Sequence, residues 1–309
     1  MRLGNRRTIV PLILLLALAA TPVFEQPYFT RFATQVLVFG IIAISLDLIV
    51  GYGGMVSFGH AAFFGVGAYA AGILGFYGIH SGFAAIPASM ALSALFAFII
   101  GGISLRTSGV YFIMITLAFA QMLYYLSTAL VMYGGNDGLK MSRNDMVVLH
   151  LQDPVTFFYF VMAVFLVVFY CSRRLVRSRF GRVLRGIKDN EPRVQSLGYD
   201  TYRYQLVAFV LAGSLAGLAG MLDANLNEYV SPDLLHWVMS GDLLIMLILG
   251  GVGTLVGPVL GAGVFLFLQE ILSSYTKHWM LVLGPLLLLV VIFSSGGLYA
   301  LIAPRPRHE

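Results

Sequence analysis

Apolar runs of about twenty residues follow one another along this chain, and that pattern restricts its fold more than any single motif. A helix rises about 1.5 Å per residue, so roughly 20 apolar residues cross the roughly 30 Å of hydrocarbon in a bilayer. Such runs lie near residues 8–24, 31–50, 55–77, 83–104, 109–132, 154–172, 205–223, 240–255, 258–274 and 279–298. Little charge interrupts them: 11% of the residues are charged and 59% are hydrophobic, where soluble domains carry roughly 25% charge. The mean hydropathy is +0.87. The chain is expected to be an all-α, polytopic membrane protein with about ten transmembrane helices, forming a single transmembrane domain over residues 1–309. Only a Gly/Pro turn separates 240–255 from 258–274, so counts of nine or eleven also fit the pattern.

Charge sets the orientation. With the N-terminus and its Arg2, Arg6 and Arg7 in the cytoplasm, Arg106, the basic stretch Arg173 to Arg203, and Arg305 and Arg307 also fall inside. That places 15 of the 19 basic residues inside and leaves Arg31, Lys140, Arg143 and Lys277 outside, as the positive-inside rule requires. The expected topology is N-in/C-in. The basic start, apolar core and small residues of ALAAT also fit a cleavable signal peptide, in which case nine spans remain and each keeps its orientation.

Several function classes are excluded or weakened. A single cysteine, Cys171, allows no internal disulfide and no thiolate cluster. No GxxxxGK[ST] phosphate loop is present, and none of the three lysines follows a glycine. No paired His/Glu or Ser/His arrangement at helical spacing suggests an intramembrane enzyme, and no nucleic-acid partner is expected.

Two stretches break the apolar monotony with purpose. GYGGMVSFGHAAFFGVGAYAAG, residues 51–72, holds seven glycines, a serine and a histidine. Glycine costs a helix interior about 1 kcal/mol relative to alanine, so the segment reads as a broken, glycine-rich helix between two spans. Its free amides would line a cavity and hold a carboxylate. Gly51, Gly53, Gly54, Ser57, Gly59 and His60 are the candidate substrate-pathway residues, with Ser57 as a cap. The competing reading makes the glycines, Gly65, Gly67 and Gly72 especially, sites of close helix packing and His60 a hydrogen-bonded interior residue. A second glycine cluster, GGVGTLVGPVLGAG at 250–263, also falls at a cytoplasmic turn.

The second stretch is the loop RRLVRSRFGRVLRGIKDNEPRVQSLGYDTYRY, 173–204. An amphipathic helix is expected after Gly181, with Val183, Leu184 and Ile187 on its apolar face. It breaks at Asn190, which caps a second short helix carrying Pro192 in its first turn and ending at Gly198. Asp189 and Glu191 form an acidic corner, so the loop is a stiff cytoplasmic knob shaped for a protein partner. Attraction to anionic lipid explains Arg173 to Arg179 but not the capped corner. On the opposite side, YGGNDGLKMSRNDMVVLHLQD, 133–153, reads as a structured surface loop.

SLDLIVGYGGMVSFGHAAFFGVGAYAAG, TLAFAQML, GGNDGL, RRLVRSRFGRVLRGIKDNE, LGYDTYRYQLVAFVLAGSLAGLAGML, YVSPD and LILGGVGTLVGPVLGAGV occur in this order. Together they resemble the permease subunits of branched-chain amino acid ABC transporters, the LivM-like family, from about residue 35 to residue 298. The resemblance implies an ATP-driven importer in a bacterial cytoplasmic (inner) membrane. Its expected partners are two cytoplasmic ATPase subunits, a homologous sister permease subunit, an extracytoplasmic solute-binding protein and the lipid bilayer. It implies no cofactor bound by this chain, with ATP and Mg on the ATPases. It also makes Gly181, Arg185, Asp189, Asn190 and Glu191 the coupling element that rests in an ATPase cleft. Asp242 stands where the family commonly has glutamate, and DANLNEYVSPD is more polar than its usual pattern, which weakens a leucine-like solute against urea, amides or aromatic acids. The alternative is an ion-coupled secondary transporter, for which Asp47, Asp223, Asp242 and Glu270 are the available carboxylates.

Overall fold

The computed structural model describes residues 21–24, 26–143, 151–275, 278, 280–285 and 297–302. Most of the expected spans at 8–24 and 279–298, and the terminal arginines, lie outside the described residues. The rest is helical: α1 Pro27–Asp47, α2 His60–Phe76, α3 Gly82–Ser104, α4 Val110–Ala129, α5 Pro154–Arg177, α6 Arg179–Ser196, α7 Thr201–Asn227, α8 Trp237–Gly250, α9 Val256–Tyr275 and α10 Gly297–Ile302. Six helices among the described residues are long and apolar enough to cross a membrane, namely α1, α3, α4, α5, α7 and α9, while α2 and α8 are shorter apolar helices.

α1 is the central post. It is 94% buried over its most apolar window, whereas α3, α4, α5 and α9 are a third buried or less and turn one face outward. Apolar neighbours give no hydrophobic drive in lipid, so the helices associate by close van der Waals packing of small residues. α3 shows how the sequence arranges this. Its buried Ala85, Ser89, Ser93, Ala97 and Gly101 recur every fourth residue and lie on one helix face. α7 meets that stripe with Gly213 and Gly217; a Cβ on Gly217 would come 2.8 Å from the Ser89 carbonyl oxygen and overlap Ser93. A Cβ on Gly67 of α2 would overlap the Gly217 backbone, and one on Gly65 or Gly72 would press on Leu235 or on Leu139 and Val230. These glycines are sites of close approach, as the packing reading expects.

The two ends of the bundle differ. At one end, β1 (Leu139–Lys140) pairs antiparallel with β2 (Tyr229–Val230), and the Tyr229 hydroxyl donates to the Asp137 carbonyl. Arg143 ties this end together. It reaches Glu228 at 3.4 Å, donates to the carbonyls of Asn225 at 3.0 Å and Gln152 at 3.1 Å, and lies over the Phe157 ring. Burial lowers its affinity for its proton, and Glu228 opposes that. The loop at 133–153 is thus structured where it is described; 144–150 lie outside the described residues. α6 marks the opposite end.

One expected span ends early. The run 240–255 is helical only to Gly250, because Gly251 and Gly253 take φ of 117° and 79° and leave the helical region.

Candidate functional site

The helix break between α1 and α2 is built from a widened turn and a re-entrant segment. Leu48–Tyr52 continue α1 as a π-helical turn, a form that often marks functional sites. The chain then runs without regular structure from Gly53 to Gly59, and α2 begins at His60. That start lies inside the bundle. Phe58 N donates to Thr116 Oγ1 at 3.3 Å in the second turn of α4, and Ser93 Oγ, midway along α3, donates to the Phe63 carbonyl at 3.0 Å. Glycine is needed for the approach: a Cβ on Gly59 would stand 2.7 Å from the Thr116 carbonyl oxygen.

The expected free amides are not free. Gly59 N donates to Ser57 Oγ at 3.1 Å, Phe58 N to Thr116, and Ala61 N to Ser240 Oγ of α8 at 3.1 Å. Ser57 caps the residue before the helix, and Gly59 itself occupies the N-cap without a side-chain bond. The physical reason is general: buried amides take the nearest acceptor, and here hydroxyls from three segments supply it. Thr116 and Ser240 escaped sequence reasoning because a hydroxyl in an apolar helix usually bonds its own helix. Gly54 and Val56 are exposed, while Gly51, Gly53, Ser57, Gly59 and His60 are buried.

His60 is the polar centre of the break. It is fully buried, with Nε2 2.6 Å from Ser45 Oγ and Nδ1 without a hydrogen-bond partner among the described residues. Ser45 Oγ also lies 2.9 Å from the Ile42 carbonyl as donor. Its single proton is thereby committed, which makes Nε2–H the donor to Ser45 and leaves Nδ1 a bare acceptor.

A second convergence sits two residues further along α1. Asp47 Oδ1 accepts from Gly253 N at 2.6 Å and Oδ2 from Leu255 N at 3.0 Å. The buried carboxylate thus clamps the α8–α9 turn against the end of α1. A Cβ on Gly51 would lie 2.7 Å from Gly253 N, so the two glycine clusters of the sequence pack against each other.

α6 joins the same convergence. It starts at Arg179, capped by Ser178 Oγ accepting from Gly181 N at 3.4 Å; the expected start after Gly181 is therefore three residues late. Gly181 abuts the last turn of α5, where a Cβ would come 2.6 Å from the Val176 Cα. The helix breaks at Asn190 (φ −161°, ψ 92°), and Asn190 Oδ1 accepts from Arg193 N at 3.0 Å, as the capped-corner reading requires. Leu184 and Ile187 are buried and Val183 half-buried. The acidic corner needs correction. Asp189 and Asn190 are exposed, but Glu191 turns inward and its Oε1 accepts from Thr201 Oγ1 at 2.8 Å and from Gln195 Nε2 at 3.4 Å. Glu191 fastens the second short helix to α7.

Two basic side chains of α6 reach the break. Lys188 Nζ donates to the Gly51 carbonyl at 2.6 Å. Arg185 donates to the carbonyls of Gly181 at 3.3 Å and Val176 at 3.1 Å, with its guanidinium 5.9 Å from the Tyr52 ring centre. Lys188 was legible only as a polar-face residue, because its acceptor lies 137 residues away.

The carboxylates available for ion coupling do not converge. Asp47 holds amides, Asp223 accepts from Asn227, Glu270 accepts from the Tyr28 hydroxyl at 2.5 Å, and Asp242 lies near the start of α8. Among the described residues, no group of three or more His, Cys, Asp or Glu is placed to hold a metal ion.

Residues 28–291 match the family described as branched-chain amino acid transport system / permease component. The chain is 27% identical to the high-affinity branched-chain amino acid transport permease LivM of Salmonella typhimurium, over 88% of this chain and 70% of that protein. It is also 27% identical to LivM of Escherichia coli K12, over 95% and 75%. Its fold is similar to a chain of an ABC transporter solved in an inward-facing conformation, with a TM-score of 0.54 and 15% identity over 94% of this chain and 99% of that one. With the matched stretch spanning α1 through α9, the chain belongs to the branched-chain amino acid transport permease family and is a multi-pass membrane permease of the ABC transporter type.

Proposed function

We propose that this chain is one of two unlike permease subunits of an ATP-driven importer in a bacterial cytoplasmic membrane. It would cross the membrane ten times with both ends inside, and carry a branched-chain or other hydrophobic amino acid inward. Two ATPases bind ATP and Mg beneath it, a solute-binding protein docks on the β1–β2 end, and the chain itself holds no cofactor and catalyses no reaction.

The observation that carries this reading is the 2.6 Å bond from Lys188 Nζ to the Gly51 carbonyl. It joins the proposed coupling element, with Gly181, Arg185, Asp189, Asn190 and Glu191, to the helix break that carries the proposed pathway residues Gly51, Gly53, Gly54, Ser57, Gly59 and His60. Movement of α6 driven by ATPase closure then pulls on the π-turn, and through Asp47 on the α8–α9 turn as well. A break held by single hydroxyl bonds to Ser57, Thr116 and Ser240 opens at modest cost, since each such bond contributes about 1 kcal/mol net. Opening would present the α2 N-terminus and its amides to the solute carboxylate.

The polarity of residues 223–233 does not by itself oppose an amino acid solute. Asn225 donates to Met221 O at 2.8 Å, Asn227 accepts from Arg31 at 3.0 Å and Ser231 caps Asp233, so these groups serve the chain's own structure.

Cysteine at the exposed Asp189, in the assembled complex, is expected to crosslink to the ATPase subunit in the nucleotide-free or the ATP-bound state. A crosslink to neither state would overturn the assignment of α6 as the coupling element.

A further inference from the structure

The last turns of α5 carry a feature that the transport reading leaves unused. Tyr170, Arg173, Arg174 and Arg177 line a pocket of about 500 Å³ together with Ser178. Their spacing of three, one and three residues puts them on one face of the helix. All four side chains are exposed, and none of the three guanidinium groups makes a hydrogen bond or an ion pair with a described residue. Three like charges lie together within two turns, and among the described residues no acid forms an ion pair with them.

Position identifies the counter-ion. α5 runs from Pro154 to Arg177 as a 24-residue span, about 36 Å long at 1.5 Å per residue. The hydrocarbon layer is about 30 Å thick, so the final four or so residues emerge from it. The Tyr170–Arg177 stripe is about 10 Å long, so by this length it runs from the edge of the hydrocarbon at Tyr170, the depth where tyrosine rings concentrate, into the headgroup layer at Arg174 and Arg177. A guanidinium presents a planar fork that matches phosphate geometry, and three converge on one pocket of headgroup size.

We propose that the Tyr170–Arg173–Arg174–Arg177 pocket binds the phosphate-bearing headgroup of an anionic phospholipid at the α6 end of the membrane. The site lies directly before Ser178, whose Oγ caps α6. A lipid held there fixes the base of α6 without touching the Lys188–Gly51 bond.

The chain carries its own reporter. Cys171 is the single cysteine of the sequence and is exposed, next to Tyr170. The full-length chain, labelled there with a fluorophore and placed in nanodiscs, would be exposed to trace nitroxide-headgroup phosphatidylglycerol or nitroxide-headgroup phosphatidylcholine at equal mole fraction. Quenching by the anionic lipid is expected to exceed that by the zwitterionic lipid. Each arginine near the surface favours anionic lipid by about fivefold, so Arg173→Gln, Arg174→Gln and Arg177→Gln together should bring the preference down to near one. Arg182→Gln with Arg193→Gln, which removes exposed charge from α6, should leave it intact. Equal quenching by both lipids in the native chain would overturn the proposal, as would an unchanged preference in the triple variant. Equal loss in the α6 variant would reduce the effect to bulk positive charge. Repeating the measurement with the assembled complex separates the last case: if partner subunits abolish quenching, the pocket is a protein interface and the lipid assignment fails.

Discussion

Lys188→Met is the sharpest test of how α6 reaches the pathway. Methionine keeps an unbranched stem of similar length, so the packing over Gly54, where a Cβ would meet Lys188 Cγ at 3.0 Å, is retained. What disappears is the charge-assisted bond to the Gly51 carbonyl at 2.6 Å. Hydrogen bonds to charged groups contribute about 1.5–3 kcal/mol, and the exposure of Lys188 places this one near the lower bound. A loss of about 1.5 kcal/mol corresponds to about tenfold in an equilibrium constant. If the bond transmits motion from α6 to the π-turn, solute moved per ATP hydrolysed should fall by about that factor in proteoliposomes holding the assembled importer. Arg182→Met is the control, since Arg182 is exposed and its guanidinium has no described partner. Size-exclusion chromatography of both complexes separates uncoupling from failed assembly. Wild-type coupling in Lys188→Met, or an equal fall in Arg182→Met, would refute the reasoning and leave the charge of the loop as the operative quantity.

Asp47→Ala strips the acceptor from two amides, those of Gly253 and Leu255, and should destabilise the chain by roughly 2–6 kcal/mol, read as a fall in the detergent melting temperature. Gly217→Val drives a branched side chain into Ser93 and the Ser89 carbonyl, so the α3–α7 contact should fail and the chain should not be recovered as a monodisperse species. Asp153 caps α5 by accepting from Thr156 N at 2.9 Å, and these bonds hold its carboxyl below the ordinary value of 3.8. A depressed carboxylate stabilises above its unfolded pKa and loses that contribution as pH falls through the folded one. Thermal stability should therefore drop below about pH 4, and Asp153→Asn, which keeps a capping oxygen, should flatten that drop; an unchanged acid limb would exclude the cap as its source. Cysteines at Asn136 and Ser196, each in a background lacking Cys171, should react with impermeant reagent from opposite sides of the membrane.

Much of the architecture was legible because lipid imposes a one-dimensional rule: a span needs length and apolarity, and both are written locally. α1, α3, α4, α5 and α9 lie where the apolar runs lie. The capped corner at Asn190 was legible for a similar reason, since a cap acts over three residues. The family resemblance also rested on local strings kept in order, and the match over residues 28–291 bears it out.

Tertiary structure alone decided the rest, and the cause is hydrogen-bond bookkeeping across distant segments. The sequence marks Gly51 to Gly59 as a poor helix but cannot say which groups receive its amides, and Ser240 lies 179 residues from Ala61. It shows Asp47 as a boundary carboxylate, yet the clamp on Gly253 spans 206 residues. It shows Glu191 as an acid at an exposed corner, while the fold turns it to Thr201. Glycine permits a break, a close approach or a tight turn with equal ease, so composition leaves the choice open. The choice falls to whichever buried donor and acceptor the packed helices bring within 3 Å or so of each other, because an unpaired polar group in the bilayer interior costs several kcal/mol.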